Sequence, residues 1–191
     1  MVKDNKSSLK SFSVYVIVML LLVAVDQITK LLIVNDFALY GRKEIIKNFF
    51  SLYYVRNTGS AFSFLADVSW GIYILSLISL IMALFIIFLI YKAASLKDFI
   101  LSLSLSLVAA GAIGNLIDRF RLRYVIDFLR FDFGSYTFPI FNFADMCAVV
   151  GTFLVIFLFI FKEKKIDALF QSIGFLKKSE ETKETGDDTK S

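Results

Sequence analysis

The chain has 191 residues, 58% of them hydrophobic and 22 of them Phe; soluble domains of this size are nearer about 45–50% apolar, and long uncharged runs of this kind mark an integral membrane protein. There is no histidine and a single cysteine, Cys147, which excludes His-based triads, His-ligated zinc, an internal disulfide and a thiolate metal cage, and leaves carboxylates, hydroxyls, amides, Lys and Arg for any chemistry. The net charge of +4 comes from scattered Lys and Arg with no basic stripe interleaved with aromatics, so no nucleic-acid partner is expected.

A polar start, residues 1–10, leads into an apolar run over 12–34, long enough to cross about 30 Å of hydrocarbon as a helix. It is too long for a signal-peptide core, and no small-residue cleavage site follows. Asp26 and Lys30 stand four apart on one face and read either as a structural ion pair near the outer end of this helix, with Lys30 snorkelling to the interface, or as direct participants in the site. Residues 35–69 are too polar to span. Phe49 to Val55 is rich in aromatic and β-branched residues, Asn57-Thr58-Gly59 supplies a turn, and Ala61 to Leu65 suits a second strand, so a small hairpin outside the membrane is expected. In that setting Asn57 and Gly59 are ordinary turn residues.

The second span covers 70–91, with Trp70 and Tyr91 at its ends as interfacial aromatics. A short polar link makes it an antiparallel neighbour of the third, 99–117. Within that third span, LSLSLSL alternates like a strand, but an unpaired strand cannot sit in lipid, so it belongs to the helix. Ala109 to Gly114 offers small residues for close helix packing. A second loop covers 118–142, the fourth span 143–161, and the polar tail 164–191 is expected to be disordered. The composition describes an all-α membrane protein: one domain over 1–163, four transmembrane helices, and a small extracytoplasmic β element between the first two. Lys and Arg divide evenly between the two sides. Those on the termini side are all Lys in short segments, which leans towards cytoplasmic termini.

The polar residues of the second half carry the chemistry. Asn142 suits a cap for the fourth helix with Asp145 in its first turn. Asp118, at the end of the third helix, needs a compensating charge, and Arg119 beside it is the expected source; Asn115 and Arg119 share a face, so the three read as a polar brace or a substrate clamp. Asp127 lies inside the apolar run Val125 to Leu129, where poor solvation raises a carboxyl's pKa. The 17 residues between Asp127 and Asp145 can double back and bring the two carboxylates together. Such a pair shares one proton and can act as acid and base on a water without metal or cofactor. Cys147 reads as a small buried apolar residue.

Five motifs in order, DQITK (26–30), NTGSAF (57–62), GNLIDR (114–119), VIDF (125–128) and FNFAD (141–145), resemble those of the signal peptidase II family of membrane aspartic peptidases, over about residues 12–161. The resemblance implies Asp127 and Asp145 as the catalytic pair, with Asn57, Gly59, Asn115, Asp118, Arg119 and Asn142 supporting substrate and dyad and Asp26 and Lys30 structural. It implies cleavage of bacterial prolipoproteins before a diacylglyceryl-cysteine, at the outer face of the cytoplasmic membrane with both termini inside, by a monomer among membrane lipids that needs no cofactor. Ser60 stands where the family often has Ala. Arg123 stands where many members have Gly, so a left-handed backbone at that residue would be strained. Two other readings compete. A four-helix proton-coupled transporter would use Asp26 or Asp118 as a relay, with ionisable residues lining the mid-membrane. A Ser/Lys peptidase would need Lys30 unpaired and Ser60 or Ser63 as nucleophile.

Overall fold

The computed structural model describes residues 2–59 and 70–175, with side chains from Ser7 onward. The proposed strand Ala61 to Leu65, Ser60, Ser63 and the tail from 176 lie outside the described residues. Among the described residues, four helices are long and apolar enough to cross a membrane: α1 (Val2–Asp36), α2 (Gly71–Ser95), α3 (Phe99–Leu122) and α4 (Phe143–Phe161). Each exceeds the length of about 20 residues that crosses the hydrocarbon, or is close to it. The serines of LSLSLSL are helical as expected. Ser102, Ser104 and Ser106 donate to the carbonyls of Asp98, Ile100 and Ser102, so their hydroxyls are satisfied inside the bundle.

α3 is the central helix. It packs on all three others, and small residues let the backbones approach. A Cβ at Gly111 would collide with the Ala144 carbonyl and the Ala148 side chain of α4, and one at Gly114 would lie 2.6 Å from Asp26 Oδ2 of α1 and 3.0 Å from Ala144 Cβ. The apolar core joins Tyr15, Met19 and Val23 of α1, Ile86, Ile90, Ala93 and Ala94 of α2, Leu101, Leu105, Ala109 and Ala110 of α3, and Leu158 of α4. The outward faces, for example Leu21, Leu84 and Phe153, are apolar and exposed, as lipid-facing positions should be.

The β element is larger than expected. Strands β1 (Arg42–Ile46), β2 (Phe50–Asn57), β3 (Val125–Phe133) and β4 (Tyr136–Thr137) form an antiparallel sheet in that order. β2 matches the expected strand, but its neighbours are β1 and, from the loop between α3 and α4, β3. The residues read as a plain second loop therefore complete the sheet. β1 was missed because all five of its residues are exposed, leaving no alternation to read. β3 and β4 join through a turn at Gly134, whose φ of +64° suits glycine.

Two further differences concern helix ends. α3 continues to Leu122, so Asp118 and Arg119 lie within its last turns rather than beyond it. Arg123 then caps it in the left-handed region at φ 67°, the position where a glycine costs nothing, with its guanidinium 5.0 Å from the Tyr73 ring centroid. Part of the expected disordered tail is instead α5 (Glu163–Ser172). Ile166 and Leu169 bury one face of α5 in the core, Lys165 pairs with Asp98 at 2.7 Å, and Lys92 donates to the Ser172 carbonyl. Charge-rich composition hid this amphipathic turn.

Candidate active site

At the end of the bundle opposite the termini, α1, α3, α4 and the sheet converge on a buried polar cluster. α4 begins there with a capping box: Asn142 Oδ1 accepts from the Asp145 N–H (3.0 Å), and Asp145 Oδ2 accepts from the Asn142 N–H (3.1 Å). A second cap comes from α1, since Asp26 Oδ1 accepts from the Ala144 N–H at 2.9 Å. A negative group suits that helix end.

β3 carries Asp127 to the same place. The N–H groups of Phe128 and Leu129 both donate to the Phe141 carbonyl, next to Asn142, so the chain doubles back and sets β3 beside the start of α4. Val125 to Phe128 are all buried. Asn142 Nδ2 donates to Asp127 Oδ1 at 2.7 Å, while the same residue's main-chain N–H holds Asp145 Oδ2. The two carboxylates thus share one residue as a bridge. Asn57, at the end of β2, donates to Asp127 Oδ2 at 2.9 Å, and its own Oδ1 accepts from the Gly59 N–H, a turn that also sets the loop. Asn115 donates to Asp145 Oδ1 at 2.7 Å.

Beneath this layer lies a second. Lys30 Nζ sits 2.9 Å from Asp26 Oδ2, 2.9 Å from Asp118 Oδ2 and 3.0 Å from Asn115 Oδ1, and Lys30 and Asp26 are each 1% exposed. Two expectations are corrected here. Lys30 does not snorkel; it is sealed inside because a second carboxylate, on α3, meets it. Asp118 is compensated by Lys30, by the Ile126 N–H and by Gln27, rather than by adjacent Arg119. Gln27 was overlooked. It donates to Asp26, Asp118 and the Gly114 carbonyl, and a lone amide in an apolar helix was the available signal. Arg119 turns away towards Ser79 Oγ and the Gly59 carbonyl, both at 3.5 Å, and its Nε has no partner among the described residues.

The electrostatics follow from this geometry. Burial, reinforced by the Asp145 charge, pushes the Asp127 carboxyl up to about 7, against the hydrogen bonds from Asn57 and Asn142 and the charge of Lys30. Four carboxylates (Asp26, Asp118, Asp127, Asp145) meet two cations (Lys30, Arg119), so a retained proton relieves the imbalance. The arrangement can polarise a small molecule between Asp127 and Asp145 and pass protons to and from it. Among the described residues, every buried charged side chain belongs to this one cluster. These side chains gather at one end of the helices, an arrangement that does not favour a proton-relay transporter. Lys30 is fully engaged by two carboxylates, so the unpaired lysine of a Ser/Lys peptidase is not there.

Comparison with known proteins agrees with the motifs. The family model described as signal peptidase (SPase) II matches residues 18–161. A lipoprotein signal peptidase of Psychromonas ingrahamii is 40% identical over 138 residues, 72% of this chain and 79% of that protein. One from Enterococcus faecalis is 42% identical over 151 residues, 79% of this chain and 90% of that protein. A solved bacterial membrane enzyme superposes with a TM-score of 0.67 at 28% identity, covering 90% of this chain and 95% of that one.

Proposed function

This chain belongs to the signal peptidase II family, and from that premise we propose that it is a membrane aspartic endopeptidase acting on lipid-modified prolipoproteins. The membership and the four apolar helices make it a bacterial multi-pass inner-membrane protease. The observation that carries the rest is the Asn142 bridge, which holds Asp127 and Asp145 to one residue from two sides.

In the proposed reaction Asp127 holds the shared proton and Asp145 is the base. Asp145 takes a proton from a water lying between them. The hydroxyl attacks the scissile carbonyl carbon while Asp127 protonates the carbonyl oxygen. The tetrahedral intermediate then collapses: Asp127 regains its proton, the C–N bond breaks, and the leaving amine takes a proton from Asp145. Asn57, Asn115 and Asn142 keep both carboxylates aimed. Arg119 and Gly59 flank the site where the substrate backbone would lie. The bond cut is the one before the diacylglyceryl-cysteine. Its acyl chains remain in the bilayer, so remote binding energy positions the peptide bond at the carboxylates. Both termini face the cytoplasm and the site faces outward.

The test is cleavage of a lipid-modified prolipoprotein peptide by purified protein, read by mass spectrometry. Asp127→Asn and Asp145→Asn should each lower kcat by about a thousandfold or more. Near-wild-type cleavage by either variant would overturn the assignment. Proton-coupled flux in liposomes without cleavage would favour a transporter instead.

A further inference from the structure

Lys30 touches neither carboxylate of the dyad, yet its contacts reach one of them through a single amide. An ammonium has three N–H donors and no acceptor. Here its three neighbours are Asp26 Oδ2, Asp118 Oδ2 and Asn115 Oδ1, at 2.9, 2.9 and 3.0 Å. The donors are therefore all spent. The Asn115 atom facing Lys30 must be the oxygen, because an amide NH2 there would meet a cation that cannot accept. Asn142 Nδ2 presses the same choice, donating to Asn115 Oδ1 at 3.0 Å. With its oxygen fixed on that side, Asn115 can only present Nδ2 to Asp145, where it donates at 2.7 Å.

We propose that Lys30 is a positioning residue for the cleavage reaction: held between Asp26 and Asp118, it locks the orientation of the Asn115 amide so that a donor always faces Asp145. This rests on the dyad reading above. Without Lys30 only the neutral hydrogen bond from Asn142 Nδ2 holds the Asn115 oxygen, a weaker restraint than the charge-assisted one, and the amide is freer to turn its oxygen on the Asp145 carboxylate, a repulsive contact. The groups that face the dyad are Lys30 and Asp26 on α1, Arg119 and Asn115 on α3, Asn57 on β2, and Asn142, the N-cap of α4. Of these, Lys30 is the cation with direct hold of a residue bonded to Asp145. The lock also links the aim of the base to the packing of three helices, since Asp26 caps α4 while Gln27 ties Asp26 to Asp118.

Lys30→Met alone would leave Asp26 and Asp118 facing each other in the interior, so the test starts from Asp118→Asn. On that background Lys30→Met is made with Asn115 intact and again with Asn115→Leu, and peptide cleavage is followed against pH. With Asn115 intact, the Lys30→Met step should lower kcat at least 30-fold, leave KM within about twofold, and move the pH–rate profile up by about one unit. With Asn115→Leu present the same step should cost less than about threefold, because the path it acts through is gone. Lys30→Arg should restore part of the rate. An equal loss with and without Asn115, or a loss with an unmoved profile, would make Lys30 a packing residue and overturn the lock. Asp127→Asn and Asp145→Asn are run beside these. More than about a hundredth of the parent rate in either of them overturns the dyad itself, an outcome separate from failure of the lock.

Discussion

α3 has an acid near each end: Asp98, its N-cap, meets Lys165 of α5, and Asp118, in its last turns, meets Lys30 of α1; the two contacts differ in solvation far more than in length. Near the termini, Lys165 and Asp98 lie 2.7 Å apart, with the lysine side chain 37% and the aspartate 10% exposed, so the cation keeps its water. At the opposite end Lys30 lies 2.9 Å from both Asp26 and Asp118, and all three are at most 2% exposed. Distance does not distinguish them; solvation does. An exposed pair exchanges water for a partner at little net gain, about 0–1 kcal/mol. A buried one has already lost its water, so its worth shows only when one member is removed. The termini end is held by apolar packing, with α5 laid over it. The other end spends its burial on charges, the cost expected of a site whose geometry must be unique.

That contrast can be broken at either pair. Lys30→Met should lower the unfolding free energy in detergent by about 3–5 kcal/mol, because it strands two buried carboxylates. A loss below about 1 kcal/mol would mean that water reaches the cluster and the contrast is false. The next effect is smaller and depends on pH. The Asp127 carboxyl is raised from an ordinary 3.8 to about 7, so between those values the folded protein keeps a proton that the unfolded chain has released. Stability then falls as pH rises from about 4 through 7 and levels off above. Asp127→Asn removes that slope. It should be more stable than the parent at pH 8, by at most a few kcal/mol, with the difference shrinking towards pH 4 in thermal melts. Equal stability at both pH values would place Asp127 in water. Smaller again is Arg123→Gly, which relieves a left-handed backbone worth about 1–2 kcal/mol but gives up the stacking on Tyr73. A gain of up to about 1 kcal/mol is expected, and a loss would show the stacking to be the stronger. Lys165→Ala should change stability by no more than about 1 kcal/mol, because the lysine stays in water while Asp98 is held as a cap by the Leu101 N–H.

Much of this was readable from the residues, and what was not has a common cause. The four spans declare themselves because lipid demands uninterrupted apolar helices. Asp127 and Asp145 stood out because a carboxylate in an apolar run must have a reason to be there, and the motif order supplied it. The Asn142 cap was visible as a local spacing. What failed were pairings between segments far apart in the chain. The Lys30–Asp26 pair, one turn apart, is there as the spacing implies, but the approach of Asp118 is not legible from it. Asp118 was assigned to Arg119 for the same reason. β3 is not legible as a partner of β2 because it arrives only after two more helices, and β1 has no buried face to betray it. α5 was lost among charges because two apolar residues, Ile166 and Leu169, are enough to dock a short helix once a groove exists but too few to announce one.

The central claim is that Asp127 and Asp145 act as one unit on one water. Single-turnover cleavage of the lipid-modified peptide by the parent, by Asp127→Asn, by Asp145→Asn and by the double variant tests it most directly. If the pair is a unit, both single variants fall to the same background rate and the double variant is no slower than either. Losses that multiply in the double variant, or a single variant that keeps more than about a hundredth of the parent rate, would contradict it.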